Sequence, residues 1–460
     1  MISSPGAWSV EEFWSPAVDA SRLTGKHPVR TTPTHLCPKP EGGPMVTQQN
    51  EIKSKASPMT TNVQELLDLI VEHASRPLEE AQLLPSEYYT SHDLYDLEVE
   101  RIFKKDWLYL CRTDEVANPG DWFAAEIAGE PVVLVRGKDM QIRAFSRVCP
   151  HRFMDLLFEE RSKGAEAGNT ESFVCPYHSW AFDTEGQLTG APLMAESTLF
   201  ERERACGSYN LATYATEVWN GFVFMSFDPN AEPLAPRFSE MDELLAPYRL
   251  AEWKVLDRLD WPEVPTTWKL AMDNGREAYH HQGAHKESIE PLWPAHLVDA
   301  DTTESEYFYY QRMFVSQEGA TGEEDGHYLQ PLVLPSIDGL SAFQRSHSLL
   351  VGIYPTMWFS PGPDVLLVAK WWPTGPDTHK FDLAVCVHES KMGHPDLEKI
   401  RGEMKDWLRQ IQEEDSAMVT GIQGMLRSDH ARKGGALSPL ERPIWTFQKY
   451  MAKRLAGIDV

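Results

Sequence analysis

The sequence predicts an α+β protein of two unequal parts, a small all-β domain followed by a larger domain in which helices mix with long strands. Three observations carry this. Stretches rich in Val, Ile and Phe, bounded by Gly, Asn and Asp turns, run from Pro131 to Phe227. From about residue 250 helical and strand-like patterns alternate instead. Two separate groups of Cys, His and carboxylate residues stand one in each region.

With 460 residues the chain can bury a large core and divide into two or three domains. Its net charge of −26 argues against a nucleic-acid or anionic-membrane surface. No apolar run reaches the ~20 residues of a membrane span. The greasiest stretch, Leu349 to Leu367, is interrupted by Gly352, Pro355, Pro361, Gly362, Pro363 and Asp364. The N-terminus lacks the basic and apolar blocks of a signal peptide. Six cysteines do not make a disulfide framework. The expectation is a cytoplasmic, reduced protein whose close Cys and His groups hold metal.

Residues 1–58 are rich in Pro, Ser and Thr without periodicity and are expected to form a mobile extension, with no role for Cys37. Residues 59–105 carry two short amphipathic helices. One contains Leu66, Leu67, Ile70 and Val71; the other starts at Ser91, a suitable N-cap, and runs through Leu94, Leu97, Ile102 and Phe103. Residues 106–235 form the β-domain. Val132-Val133-Leu134-Val135, a Gly137-Lys138-Asp139 turn and then Ile142 and Phe145 read as a hairpin. Pro229, Pro233 and Pro236 mark the exit into the larger domain, residues 236–460.

The β-domain contains Cys149-Pro150-His151 and Cys175-Pro176-Tyr177-His178. Two thiolates and two imidazoles suit zinc, but zinc fingers keep their cysteines as one pair and their histidines as another. Here the order is Cys, His, Cys, His in two loops. That order predicts a Rieske [2Fe–2S] cluster on Cys149, His151, Cys175 and His178, with Cys₂ on one iron and His₂ on the other.

The second group lies in Asp273-Asn274-Gly275-Arg276-Glu277-Ala278-Tyr279-His280-His281-Gln282-Gly283-Ala284-His285. Two histidines and one carboxylate with open positions mark a non-haem Fe(II) oxygenase. His280 and His285 are five apart, so on a straight helix their rings diverge by about 140°. Both reach one metal only where the helix breaks or widens, which Gly283 would permit. Glu277 shares a face with His280. His281 stays a competing ligand on spacing alone.

From Tyr88 to the C-terminus the chain resembles the oxygenase α component of the Rieske non-haem iron oxygenases. The resemblance rests on Tyr89-Thr90-Ser91 with Leu97 to Phe103, Pro119-Gly120-Asp121, Cys149-Pro150-His151-Arg152, Cys175 to Trp180, Trp268-Lys269-Leu270, Glu277-Ala278-Tyr279-His280 and His285. Two departures stand out. Phe153 occupies a place where the family usually has glycine, and the spacer between His151 and Cys175 is lengthened through residues 162–169, which would alter the partner-docking surface.

The resemblance implies a Rieske domain joined to a helix-grip catalytic domain, an antiparallel sheet with helices, on which the N-terminal helices pack. It implies a mononuclear iron held by His280, His285 and an acid far downstream. Residues 396–428 carry apolar positions Leu397, Ile400, Met404, Leu408, Ile411, Met418, Ile422 and Met425, mostly three or four apart. Asp415 fills the one gap in that stripe, where an unpaired charge would be costly, whereas Glu413 and Glu414 point elsewhere. Asp415 is therefore the expected third ligand. By the same resemblance Glu277 bridges electron transfer from a cluster histidine of a neighbouring subunit, in a ring-shaped α3 homotrimer.

The implied activity is that of a Rieske-type mono- or dioxygenase. It uses O₂ and electrons from a separate reductase or ferredoxin, because no glycine-rich dinucleotide or flavin fingerprint is present. NAD(P)H and flavin would act only through that reductase. Trp293, Tyr307-Phe308-Tyr309-Tyr310, Trp358-Phe359 and Trp371-Trp372 could line a flat pocket, cage a quaternary ammonium or fill the core. Pro291-Leu292-Trp293-Pro294 does not match the quaternary-ammonium members, so a small aromatic or N/O-alkylated substrate is expected, in aromatic-compound catabolism. A betaine- or carnitine-type monooxygenase is the alternative, and a zinc-stabilised binding protein the alternative of a different class.

Overall fold

The computed structural model describes residues 61–300 and 305–458. The extension expected over residues 1–58 lies outside them. The first helix, Thr61–Ala74, buries Leu66, Leu67 and Ile70 and packs along the last helix, Arg442–Ala456. Ser91 caps the second of the expected helices, accepting from the Leu94 N–H at 3.2 Å. That helix runs only from His92 to Glu98 and then widens into a π-turn over Val99–Phe103. The widening follows Glu98, a fully buried carboxylate that accepts from Trp268 Nε1 at 2.9 Å and pairs with Lys269 at 2.5 Å.

The small domain is built on a seven-stranded antiparallel sheet in the order Leu108–Arg112, Phe222–Ser226, Thr213–Trp219, Ile142–Ser146, Glu130–Arg136, Asp121–Ile127 and Ala167–Asn169. The expected hairpin is present, with Val133 opposite Phe145 and Val135 opposite Arg143. A second sheet of three short strands, Ser172–Val174, Ala181–Asp183 and Leu188–Gly190, carries one of the two Cys/His loops. The lengthened spacer supplies a helical turn, Phe158–Arg161, and the edge strand Ala167–Asn169 against Asp121–Phe123. A side chain on Gly168 would collide with Trp122, 2.6 Å away.

The larger domain holds a second seven-stranded antiparallel sheet, ordered Trp253–Val264, Thr378–His388, Leu366–Gly375, Met357–Pro361, His347–Ile353, Phe308–Phe314 and Val298–Asp299. Both of its faces are covered, which is why strand Thr378–His388 reads as a nearly unbroken apolar run. Leu383, Val385 and Val387 face a core that includes Trp268, Met404 and Leu408. Ala384 and Cys386 face a second core containing Trp219, Phe222 and Phe224 from the small domain's sheet. The helices Trp268–Gly275 and Leu397–Met425 pack against each other on the first of these faces. Among the described residues no helix is long and apolar enough to cross a membrane.

Candidate metal centres

The two Cys/His loops share one hydrogen-bond plan. Cys149 N–H donates to Met154 O and Phe153 N–H returns to Cys149 O, at 2.8 and 2.9 Å. Cys175 N–H donates to Trp180 O and Ser179 N–H returns to Cys175 O at the same two distances. Each loop turns through one left-handed residue, Phe153 at φ 62° and Ser179 at φ 57°. Only glycine enters that region without steric cost, which explains why glycine is the usual residue where Phe153 stands.

Both thiols are buried, and the rings of His151 and His178 lie 4.7 Å apart. His151 stacks flat on Trp180 at 4.5 Å. The Nδ1 atoms of His151 and His178 are buried without a hydrogen-bond partner. Burial, with the Cys175 thiol beside it, pushes the Cys149 thiol up to about 11, so a thiolate there needs a cation. Two unpaired imidazole nitrogens and two buried cysteines fit a [2Fe–2S] cluster with mixed Cys/His ligation.

In the second centre the helix does not widen at Gly283. It ends at Gly275, and a separate single turn, His281–Ala284, carries His280 and His285 at its two ends. His285 lies outside the helical region, at φ −111° and ψ 32°. This brings the rings of His280 and His285 to 5.0 Å between centroids. One donor atom each from His280, His285 and Asp415 lie within 4.8 Å of one another. Asp415 Oδ1 is 2.9 Å from His285 Nε2 and 3.6 Å from His280 Nε2. Asn274, unnoticed in the sequence, donates to the same oxygen at 2.7 Å.

His281 is not part of this group. Its Nδ1 donates to Trp293 O at 3.3 Å, and burial with the neighbouring His280 holds the ring neutral, its pKa pushed down to about 3. Glu277 accepts from His280 Nδ1 at 2.6 Å and from His280 N–H at 3.1 Å. Glu414 corrects the sequence-based expectation: it accepts from His285 Nδ1 at 2.7 Å. Burial opposes charge on both rings, yet Glu277 and Asp415 raise the pKa of His280, and Asp415 and Glu414 raise that of His285. Burial likewise works against the Asp415 carboxylate, but His285 and His280 outweigh it and lower its pKa. Three carboxylates around two imidazoles make a site that attracts cations, and its donor set fits non-haem iron.

The second correction concerns the long helix. The expected stripe continues through Met418, Ile422 and Met425, but these are 48%, 46% and 66% exposed. Val419 is buried in their place. The inward line is Leu408, Ile411, Asp415, Val419, and the stripe drifts by one residue beyond the aspartate.

A cavity of about 510 Å³ opens onto His280, His285 and Asp415. Trp293, Trp358, Trp371, Phe381 and Trp407 form much of its wall. Of the aromatic residues noted in the sequence, Phe308, Tyr309, Phe359 and Trp372 are core instead. Among the described residues no Lys or Arg lines the cavity, whereas Asp364, Glu403 and Asp415 do. His379 is neutral there: burial pushes it down to about 4, and its Nδ1 donates to Thr266 O at 2.8 Å. Asp364 is raised by burial to about 6, although it accepts from the N–H groups of Val333 and Leu334 at 2.7 and 3.0 Å.

Comparison with known proteins agrees with this architecture. Residues 106–215 match the Rieske [2Fe-2S] domain and residues 246–457 the catalytic domain of ring hydroxylating alpha subunits. The carnitine monooxygenase oxygenase subunit of Escherichia coli (strain K12) is 31% identical over 268 residues, covering 56% of this chain and 68% of that protein. The benzene 1,2-dioxygenase subunit alpha of Pseudomonas putida is 28% identical over 357 residues, covering 72% and 74%. The structure of a quaternary ammonium Rieske monooxygenase superposes with a TM-score of 0.69 at 23% identity, covering 85% of this chain and 98% of the other. Naphthalene 1,2-dioxygenase from a Rhodococcus species gives 0.69 at 20%, covering 86% and 99%. These last two show a shared fold.

A domain with paired Cys/His loops and a larger domain with a His/His/Asp group define an iron–sulfur oxygenase. The chain belongs to the Rieske non-haem iron oxygenases and is an oxygenase α subunit. Such subunits are oxidoreductases that incorporate O₂, carry a [2Fe–2S] cluster and a non-haem iron, and work with a reductase or ferredoxin. Membership closes the zinc-stabilised alternative.

Proposed function

We propose that the chain is the terminal oxygenase of a multicomponent system acting on a small substrate without a net negative charge, an uncharged aromatic or N/O-alkylated compound. The observation that carries this is the cavity beside His280, His285 and Asp415: aromatic-walled, with acids but, among the described residues, no Lys or Arg in its lining. A substrate carboxylate or sulfonate away from the metal position would be desolvated there with no Lys or Arg among the described residues to pair with it, which is costly. The same argument weighs against a zwitterionic betaine. A quaternary ammonium reading keeps support from the tryptophans, which attract cations, and from the carnitine monooxygenase relative.

In this reading Cys149, His151, Cys175 and His178 hold the cluster, and His280, His285 and Asp415 hold the mononuclear iron. When bound, the two groups supply electron storage and O₂ activation. Glu277 fixes His280 with its Nε2 toward Asp415 and stands as the inter-subunit electron bridge of an α3 trimer. Asn274 holds the Asp415 carboxylate in place, and the aromatic wall orients the substrate and excludes water. A cytoplasmic location suits the unpaired cysteines Cys111, Cys149, Cys175 and Cys386.

Turnover with a surrogate reductase tests the reading. The panel pairs neutral aromatics and methyl ethers with their carboxylated counterparts and with betaines. Oxygenated or demethylated product is expected from the neutral members; formaldehyde marks dealkylation, and a gain of oxygen without carbon loss marks hydroxylation. Turnover of the anionic members alone would overturn the charge argument. Asp415→Ala is expected to lose one iron per chain and keep the cluster's visible spectrum. Full iron content in that variant would remove Asp415 from the ligand set.

A further inference from the structure

We propose that Glu414 is the positioning residue that fixes the ring and tautomer of His285 and so sets how tightly the mononuclear iron is held. Glu414 and Asp415 are consecutive on the helix Leu397–Met425, yet they meet opposite nitrogens of one imidazole. Glu414 Oε2 is 2.7 Å from His285 Nδ1, and Asp415 Oδ1 is 2.9 Å from its Nε2. A carboxylate at Nδ1 holds the proton there and leaves the Nε2 lone pair free for a metal.

Glu414 is itself held. Ser288 Oγ donates to its Oε2 at 2.5 Å and Gln410 Nε2 to its Oε1 at 2.9 Å. Ser288 is buried in the segment that follows His285, and Gln410 lies one turn earlier on the same helix. The glutamate therefore clamps the histidine segment to the helix that carries Asp415, and aligns the donor set before any ion arrives. Glu277 does the corresponding work for His280, but from the histidine's own segment. Unlike Glu277, Glu414 couples the two elements whose spacing the donor set depends on.

The inference rests on the ligand assignment above, so the experiment carries a control for that assignment. Holoenzyme of the wild type, Glu414→Leu, Glu414→Gln and Asp415→Ala is challenged with a ferrous chelator. The mononuclear iron retained at equilibrium with increasing chelator is measured against the unchanged visible spectrum of the cluster. The expected result is iron affinity reduced roughly 10–100-fold in Glu414→Leu. A smaller, several-fold loss is expected in Glu414→Gln, whose amide oxygen still accepts from Nδ1. A merely structural role would lower the melting temperature of the iron-free protein and leave iron affinity unmoved. If Asp415→Ala loses iron while both Glu414 variants retain it as the wild type does, the role of Glu414 is overturned and the ligand set stands. If Asp415→Ala also keeps its iron, the ligand set falls with it. Should Glu414→Leu fail to fold, the comparison of Glu414→Gln with wild type decides alone.

Discussion

Phe153 combines a left-handed backbone, φ 62°, with a side chain 82% exposed. Its oddity was visible in the sequence as a phenylalanine in a glycine's place, but the reason lies in the loop plan that Cys149 and Cys175 share. Holding a bulky residue in that region costs about 1–2 kcal/mol, and in this chain nothing is buried in return. Glycine would relieve the strain but would give back about 0.4–1 kcal/mol through the freer unfolded chain. Phe153→Gly is therefore expected to stabilise by up to about 1.6 kcal/mol, read as a rise in the urea midpoint of the cluster-loaded protein. A fall that deepens at lower protein concentration would mean instead that the ring is covered by another subunit. The two Cys/His loops were legible because residue order along the chain survives folding. The unpaired Nδ1 atoms, the stacking of His151 on Trp180 and the contact of Glu414 with His285 were not, because they depend on rotamers and on elements distant in sequence.

At the scale of elements, periodicity located the helix Leu397–Met425 and placed Asp415 on its inner side, but misjudged its last turns. The pattern of threes and fours from Leu397 to Ile411 is real. Beyond Asp415 two apolar tracks compete, Met418–Ile422–Met425 and Val419, and only packing chooses between them. The structure chooses Val419. Met418→Ala is thus expected to change stability by less than about 0.5 kcal/mol, whereas burial of Met418 would make the same change cost about 2–5 kcal/mol. Chemical denaturation separates the two. The short turn His281–Ala284 was legible only in part. Spacing required a departure from a straight helix, and Gly283 was the visible candidate, but the chain departs at Gly275 and again at His285. Asn274-Gly275 is a local stop signal that spacing alone passes over, whereas the departure at His285 lies beside the contacts of Asp415 and Glu414 and has no such signal.

At the scale of the whole molecule, the strands of the small domain share a core with the catalytic sheet, and Lys370 stands at that junction. Its ammonium, only 1% exposed, lies over the rings of Trp372, Phe123 and Tyr109 at 4.2, 4.9 and 5.5 Å. It donates to Leu110 O and is 3.8 Å from Asp382. Asp382 also pairs with Arg258, which reaches Glu115, so three charged partners and the buried Cys111 surround the amine. Burial pushes Lys370 down to about 8, against the opposing pull of Asp382. An unfolded lysine titrates near 10.5. Between about pH 8 and 10.5 the unfolded chain therefore binds more protons at this residue than the folded one, and stability rises with pH across that window. Below pH 8 the amine is protonated in both states and the folded protein carries the whole desolvation cost. The lysine component amounts to about 3 kcal/mol over the window. Other groups titrate in the same range, so the prediction is a difference. In Lys370→Met, where Asp382 keeps Arg258, the rise in unfolding free energy from pH 8 to 10.5 is expected to fall short of the wild type by about that amount. Parallel profiles in urea titrations at a series of pH values would show that the buried amine is not what links proton binding to the joining of the two domains.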